Sequence, residues 1–147
     1  MKPKFFISAP FGNYVKPNGC IPVNGTFTLH PQGNRVLACL KTLRYDFKLQ
    51  GWVNRLGLPN PGLLSGLKRV EIQNEVLSIV EMEKGDFEKM NDIIPINQSI
   101  EVNLSCPNVK RSLVWESAKC LVSSSRHRKW CIAKMSPLTT PEEIKFV

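Results

Sequence analysis

The run from Ser99 to Val109, SIEVNLSCPNV, carries the residue types in this chain best suited to chemistry. Ile100, Val102 and Leu104 alternate with polar residues, as a strand requires. The strand then presents Asn103, Ser105, Cys106 and Asn108 around Pro107. A purely structural strand ends in plain turn residues; this one ends in a thiol flanked by amides. A thiol has an ordinary pKa of about 8.5, near enough to neutrality for a general base once a cation or dipole lowers it. Asparagine offers both donor and acceptor, which suits it to reading a neutral ring. Taken alone, a cysteine ending a strand is more often a small buried hydrophobe. Cys106 therefore gains its meaning from the amides beside it and from matching segments elsewhere.

Those residues need a frame to hold them. Apolar β-type runs recur at 4–11, 21–29, 75–83, 99–105 and 129–137, separated by turn-rich or helical stretches. Strands are expected near 4–9, 21–28, 76–82, 100–105 and 130–135, parallel and adjacent in order. Residues 35–49 place Val36, Leu40, Leu43 and Phe47 at helical spacing. The 13 residues from Gly51 to Leu63 hold three glycines and two prolines, so they read as an ordered loop. Further helices are expected from Gly62, from Lys84 and over 112–128. The last has Leu113, Ala118, Leu121 and Val122 inside. Another begins at Thr140 and Pro141. Strands apolar on both faces, alternating with helices, indicate a parallel sheet. No glycine-rich fingerprint follows the first strand, which argues against a doubly wound dinucleotide fold. Asn13, Thr26, Asn103 to Asn108 and Lys134 fall at C-terminal strand ends, where a β/α barrel carries its chemistry. The fold class is thus read as α/β, a partial (β/α) TIM-type barrel of about five strand–helix units, in one domain over 1–147.

Composition narrows the context. Of 147 residues, 42% are hydrophobic, which is globular rather than disordered. No apolar run is long enough to span a bilayer, and the apolar stretch after Lys4 is too short and too broken by Pro10 and Gly12 for a signal peptide. A cytoplasmic protein with no membrane partner is expected. Five scattered cysteines fit reduced thiols. Cys20, Cys39, Cys120 and Cys131 read as structural, and Cys120, His127 and Cys131 lack a zinc spacing, so no metal is expected. Net charge is +8. The cluster Arg126, His127, Arg128 and Lys129 reads as a solvated helix end, with an anionic ligand or RNA as the other reading.

At Glu101–Asn108, EVNLSCPN, the chain closely resembles the active-base strand of the dihydroorotate dehydrogenases, FMN-dependent β/α-barrel enzymes of pyrimidine biosynthesis. SAPFGN (8–13) resembles that family's first strand end. GTFTLHPQGN (25–34) resembles the end of its second strand with the following loop. NRLGLPNPG (54–62) is similar to its substrate loop, and CIAKMSP (131–137) to its fifth strand. The segments keep the family's order and cover nearly the whole chain. The resemblance implies a flavoprotein oxidoreductase that oxidises dihydroorotate to orotate. Cys106 would be the base that takes the C5 proton while a hydride passes from C6 to the flavin; cysteine here is the pattern of the soluble class. Asn54, Asn103 and Asn108 would bind the pyrimidine and its carboxylate. Ala9, Thr26, Asn103 and Lys134 would contact FMN, with Lys134 near the electron-accepting edge, where a cation stabilises reduced flavin.

The sequence departs from the family in two ways. The family sets a lysine against the substrate at the end of the first or second strand; Asn13 and Gly25 stand at those places, and Lys16 is the nearby candidate for that role. The given sequence also stops just after the fifth strand, short of the family's glycine-rich FMN-phosphate loops. From this, either another chain completes the barrel or the form is incomplete or repurposed, and an inner face containing Ile7, Val102 and Ile132 is expected to be covered in a homo-oligomer or to make the chain alone poorly soluble. Losing two or three charge-assisted phosphate hydrogen bonds, at about 1.5–3 kcal/mol each, would weaken FMN binding by about a hundredfold or more. Two other functions stand beside the first. One is a tRNA dihydrouridine synthase, also an FMN barrel with a cysteine after an asparagine. That family has glycine where Ser105 stands and nothing like the 54–62 loop, so nucleic acid is not the expected partner. The other is a degenerate half-barrel that binds a pyrimidine or a partner without turnover.

Overall fold

The structure, a computed structural model, describes residues 4–53, 57–105, 118–123, 125–137 and 139–141. In chain order its elements are β1 (Phe5–Ile7), β2 (Cys20–Phe27), α1 (Arg35–Thr42), β3 (Arg44–Asp46), β4 (Gly51–Val53), α2 (Leu63–Leu67), β5 (Val76–Ile79), α3 (Asp86–Ile93), β6 (Ser99–Asn103), α4 (Lys119–Ser123) and β7 (Cys131–Lys134). A five-stranded sheet runs β1-β2-β5-β6-β7 with every neighbouring pair parallel. The sheet curls into a half-barrel. This is the strand set and order that the apolar runs predict.

Parity along the strands divides the sheet into two faces. Leu77 and Ile79 of β5 align with Ile100 and Val102 of β6. They pack with Leu63, Phe87, Met90, Ala118 and Leu121 from α2, α3 and the α4 region into one buried cluster. The other parity carries Ser78, Glu101 and Asn103, which align with Ile132 and Lys134 of β7 and face the concave side. Phe6 of β1 and Trp130, just before β7, meet edge to face with ring centroids 5.4 Å apart. Lys4 Nζ stands 4.7 Å from the centre of the Trp130 ring. Because β1 and β7 are opposite edges of the sheet, this contact bridges the curl at the N-terminal ends of the strands, leaving the C-terminal ends as the open side.

Three expectations are corrected. The helix over 35–49 ends at Thr42, where Leu43 is already extended (φ −70°, ψ 121°), and β3 and β4 form an antiparallel hairpin. Asp46 Oδ1 accepts from the backbone N–H of Lys48 at 2.9 Å and of Leu49 at 3.1 Å, and this aspartate turn breaks the helical register. Val36, Leu40, Leu43 and Phe47 all lie exposed. Residues 51–53, read as loop, are the second strand of that hairpin. On the concave face, Val102 belongs to the helix-covered core, and Phe6 rather than Ile7 reaches across from β1. Of the expected inner residues, Ile132 alone keeps its place, beside Glu101. Of the helix expected over 112–128, the described residues show α4 at Lys119–Ser123 and a 3-10 turn at Ser125–His127; Ala118 and Leu121 are buried as expected, and Leu113 lies outside the described residues.

The turn after β1 leaves no room for a side chain. A Cβ added at Gly12 would stand 2.6 Å from Val23 N and 2.7 Å from Ile7 O, both backbone atoms. Gly12→Ala should therefore destabilise the fold by about 1–3 kcal/mol, read as a lower urea midpoint at unchanged m-value.

Candidate functional site

A cleft of about 720 Å³ opens at the C-terminal strand ends, within the range typical of small-molecule sites. Ala9, Thr26, Asn103 and Lys134 all line it, so it brings together all four residues expected at a flavin. Among the described residues its lining includes Lys16, Arg69 and Lys134 but no aspartate or glutamate. A concave surface bearing cations and no carboxylate favours an anionic ligand. Asn54, Cys106 and Asn108 lie outside the described residues.

The end of β2 is held from the end of β1. Asn13 Nδ2 donates to the Gly25 carbonyl at 3.1 Å, and the Gly25 N–H donates to Asn13 Oδ1 at 2.8 Å. This two-way clamp fixes a backbone that only glycine fits, since Gly25 has φ +131° and a Cβ there would meet Ser78 O at 2.5 Å. The β2–β5 register shifts here, between Asn24 and Phe27. The sequence reading places Asn13 where a substrate lysine would stand; the structure gives it this backbone role.

From Thr26 a chain of hydrogen bonds crosses the concave face. Asn103 Nδ2 lies 3.3 Å from Thr26 Oγ1, Thr26 Oγ1 lies 3.0 Å from Ser78 Oγ, and Ser78 Oγ donates to Glu101 Oε1 at 2.7 Å. Ser78 therefore spends its proton on Glu101. Thr26 must then donate to Ser78, and Asn103 to Thr26. The same asparagine accepts on Oδ1 from the Ser105 N–H at 3.2 Å and the Ser105 hydroxyl at 2.8 Å. Both ends of its amide are thereby assigned. What Asn103 retains for the cleft is its second N–H, and its register partner on β7, Lys134, lines the same cleft. That wall donates, and it suits a ligand edge made of acceptors.

Two further residues shape the cleft and escaped the sequence reading. Asn60 accepts on Oδ1 from Thr28 N (3.1 Å) and Gly62 N (2.9 Å), while its backbone exchanges two 2.9 Å hydrogen bonds with Gln32. It ties the 57–62 loop to the end of β2; its signal was an Asn-Pro pair before glycine. Glu75, almost fully buried, pairs with Lys16 and accepts from Asn24 Nδ2 at 2.9 Å. Lys16, the candidate replacement for the substrate lysine, is thus engaged by a carboxylate.

The remaining titratable groups read as structural. Burial pushes the Cys120 thiol up, with the Glu88 charge adding to it. Burial also pushes Cys131 up, and the Arg128 guanidinium only partly offsets this. Neither is a thiol poised as a base at neutral pH. The basic cluster at 126–129 divides: Arg126, His127 and Lys129 are exposed, but Arg128 turns inward and donates to the carbonyls of Pro95 (3.0 Å) and Gln98 (2.6 Å). It staples the α3–β6 connection, and burial lowers its pKa. Among the described residues, no group of three or more His, Cys, Asp or Glu could hold a metal ion, and no helix is long and apolar enough to cross a membrane.

Compared with known proteins, the chain matches no family model and no curated protein.

Ser78→Ala should leave the buried Glu101 oxygen without its hydroxyl donor and cost about 1.5–3 kcal/mol, the range for hydrogen bonds to charged groups; urea denaturation checks this. Alkylation of Cys131 by iodoacetamide consumes thiolate, and a raised pKa delays thiolate formation. Its labelling rate should therefore rise with a midpoint at higher pH than that of free cysteine in the same buffer, read peptide by peptide in a mass spectrometer.

Proposed function

We propose that this chain belongs to flavin-dependent pyrimidine oxidation of the dihydroorotate dehydrogenase type, with FMN as cofactor and dihydroorotate as substrate. The observation that carries the reading is the meeting of Ala9, Thr26, Asn103 and Lys134 in one cation-lined cleft at the C-terminal strand ends. The resemblance gives these four to the flavin, and they come from four different strands or strand ends. The donor wall of Asn103 and Lys134 fits the acceptor-rich edge of an isoalloxazine ring or an orotate.

The roles follow from the side chains. Lys134 supplies a positive charge at the strand end, and Asn103, its amide fixed by Thr26 and Ser105, supplies an oriented donor. Thr26, its proton committed to Ser78, offers an oxygen. Cys106 follows Ser105 by one residue and is the group to which the resemblance gives the C5 proton. Bound in this cleft, FMN would supply the hydride acceptor.

A second reading is a half-barrel that binds an anionic pyrimidine without turnover. The ion pair between Lys16 and Glu75 favours it, because it occupies the lysine nearest the family's missing substrate cation.

Titration of the chain with FMN and with orotate, followed by flavin bleaching on adding dihydroorotate without air, separates the two. Under the first reading wild type bleaches, and Cys106→Ala binds both ligands but bleaches at least about a hundredfold more slowly, in line with general-base losses. Lys134→Ala should weaken FMN binding about tenfold or more, as expected for one charge-assisted hydrogen bond. Orotate binding with no bleaching selects the second reading. Binding of neither ligand overturns both.

A further inference from the structure

The hydroxyl of Thr26 lines the cleft, but what it offers there is decided at residues deeper in the sheet. Ser78 is fully buried. Among the described residues its Oγ has two partners, Glu101 Oε1 at 2.7 Å and Thr26 Oγ1 at 3.0 Å. A hydroxyl has one proton and two lone pairs. With its proton on Glu101, Ser78 can only accept from Thr26, and Thr26 has then spent its own proton. Asn103 Nδ2, 3.3 Å away, takes one of the two lone pairs on Thr26 Oγ1. A lone pair and no proton remain for the cleft.

The same chain of hydrogen bonds can run the other way. Without an acceptor at position 101, the Ser78 proton has Thr26 Oγ1 as its remaining partner, and a buried donor left unmade is costly. Thr26 then accepts from both Ser78 and Asn103, and its own proton turns to the cleft. One oxygen changes from acceptor to donor. The direction rests on Glu101, which is 5% exposed and is not among the residues that line the cleft.

We propose that Glu101 is a positioning residue for ligand choice: acting through Ser78, it holds Thr26 as an acceptor, so the cleft takes a ring N–H at this point and rejects a ring nitrogen that carries a lone pair. Asn103 and Lys134 supply donors beside it. Together they match a cyclic imide edge, in which an N–H sits between carbonyls. The proposal rests on the pyrimidine reading above and adds to it a choice of oxo-pyrimidines over amino-pyrimidines.

The test is calorimetric titration of the full chain with two probes, orotate and cytosine-6-carboxylate. The second keeps the ring and the carboxylate but has a lone pair where orotate has its N3–H, and an amino group in place of the neighbouring carbonyl. Wild type should favour orotate. Glu101→Met and Ser78→Ala free the Thr26 proton by different routes. Each should move the preference toward cytosine-6-carboxylate by at least about tenfold, as expected when an unpaired group becomes a hydrogen bond. The double variant should move it no further than either single one, because both act through the same proton. In a Thr26→Val background, adding Glu101→Met should leave the preference where it was. Circular dichroism checks folding; if Ser78→Ala fails to fold, Glu101→Met, which strands no carboxylate, carries the test. Weaker binding of both probes at an unchanged ratio marks a purely structural role and overturns the proposal while the pyrimidine reading stands. A shift that survives Thr26→Val, or a wild type that prefers cytosine-6-carboxylate, also overturns it. Binding of neither probe by wild type overturns the pyrimidine reading and this proposal with it.

Discussion

A buried carboxylate organises the concave side of this sheet. Glu101 sits in the middle of β6, on the face that carries no helices, and is almost completely removed from water. Placing a polar group there is costly unless a partner meets it. Ser78 meets it, and in doing so sets the polarity of Thr26 and then of Asn103. One acceptor deep in the sheet thus dictates which atoms the cleft offers at its surface. The asparagine clamp on Gly25 serves the same arrangement by holding Thr26 within reach of Ser78.

The two faces of β5 and β6 show how a short sequence does two jobs. Every residue of β6 is buried, but alternate positions are buried for different reasons. Ile100 and Val102 lose contact with water against α3 and α4 and contribute through the hydrophobic effect. Ser99, Glu101 and Asn103 lose it on the concave side and must be satisfied by polar partners.

The five parallel strands and their order were legible because apolar runs bounded by turn residues are a strong local signal. Ala9, Thr26 and Lys134 could be placed at one end of the sheet because each lies at or just beyond a strand end. The hairpin was not legible. Val36, Leu40, Leu43 and Phe47 satisfy a helical spacing, and nothing in that spacing reveals that Asp46 will turn the chain back. Arg128 misled for a related reason: in sequence it is one of four basic residues, and only the carbonyls of Pro95 and Gln98 distinguish it from its solvated neighbours. Buried partners far along the chain decide such cases, and a local pattern carries no record of them. Of the residues implied by resemblance, Asn103 and Lys134 stand side by side in the structure, whereas Asn54, Cys106 and Asn108 lie beyond the described residues.

The contact between Phe6 and Trp130 bears on the order in which the chain assembles. It joins positions near the two ends of the chain, and closing a flexible loop of that length costs about 4 kcal/mol. An aromatic pair returns about 0.5–1.5 kcal/mol beyond its area, and a cation over the ring about 0.5–1 more at an exposed site. The pair cannot draw the two edges together by itself. The intervening strands, each pairing with the one before it in sequence within the sheet, must already have supplied the curvature. The aromatic seam is then the last part to close and the first to open, so the earliest loss of native structure on warming belongs to the rim of the sheet and leaves its centre, with Ser78 and Glu101, intact.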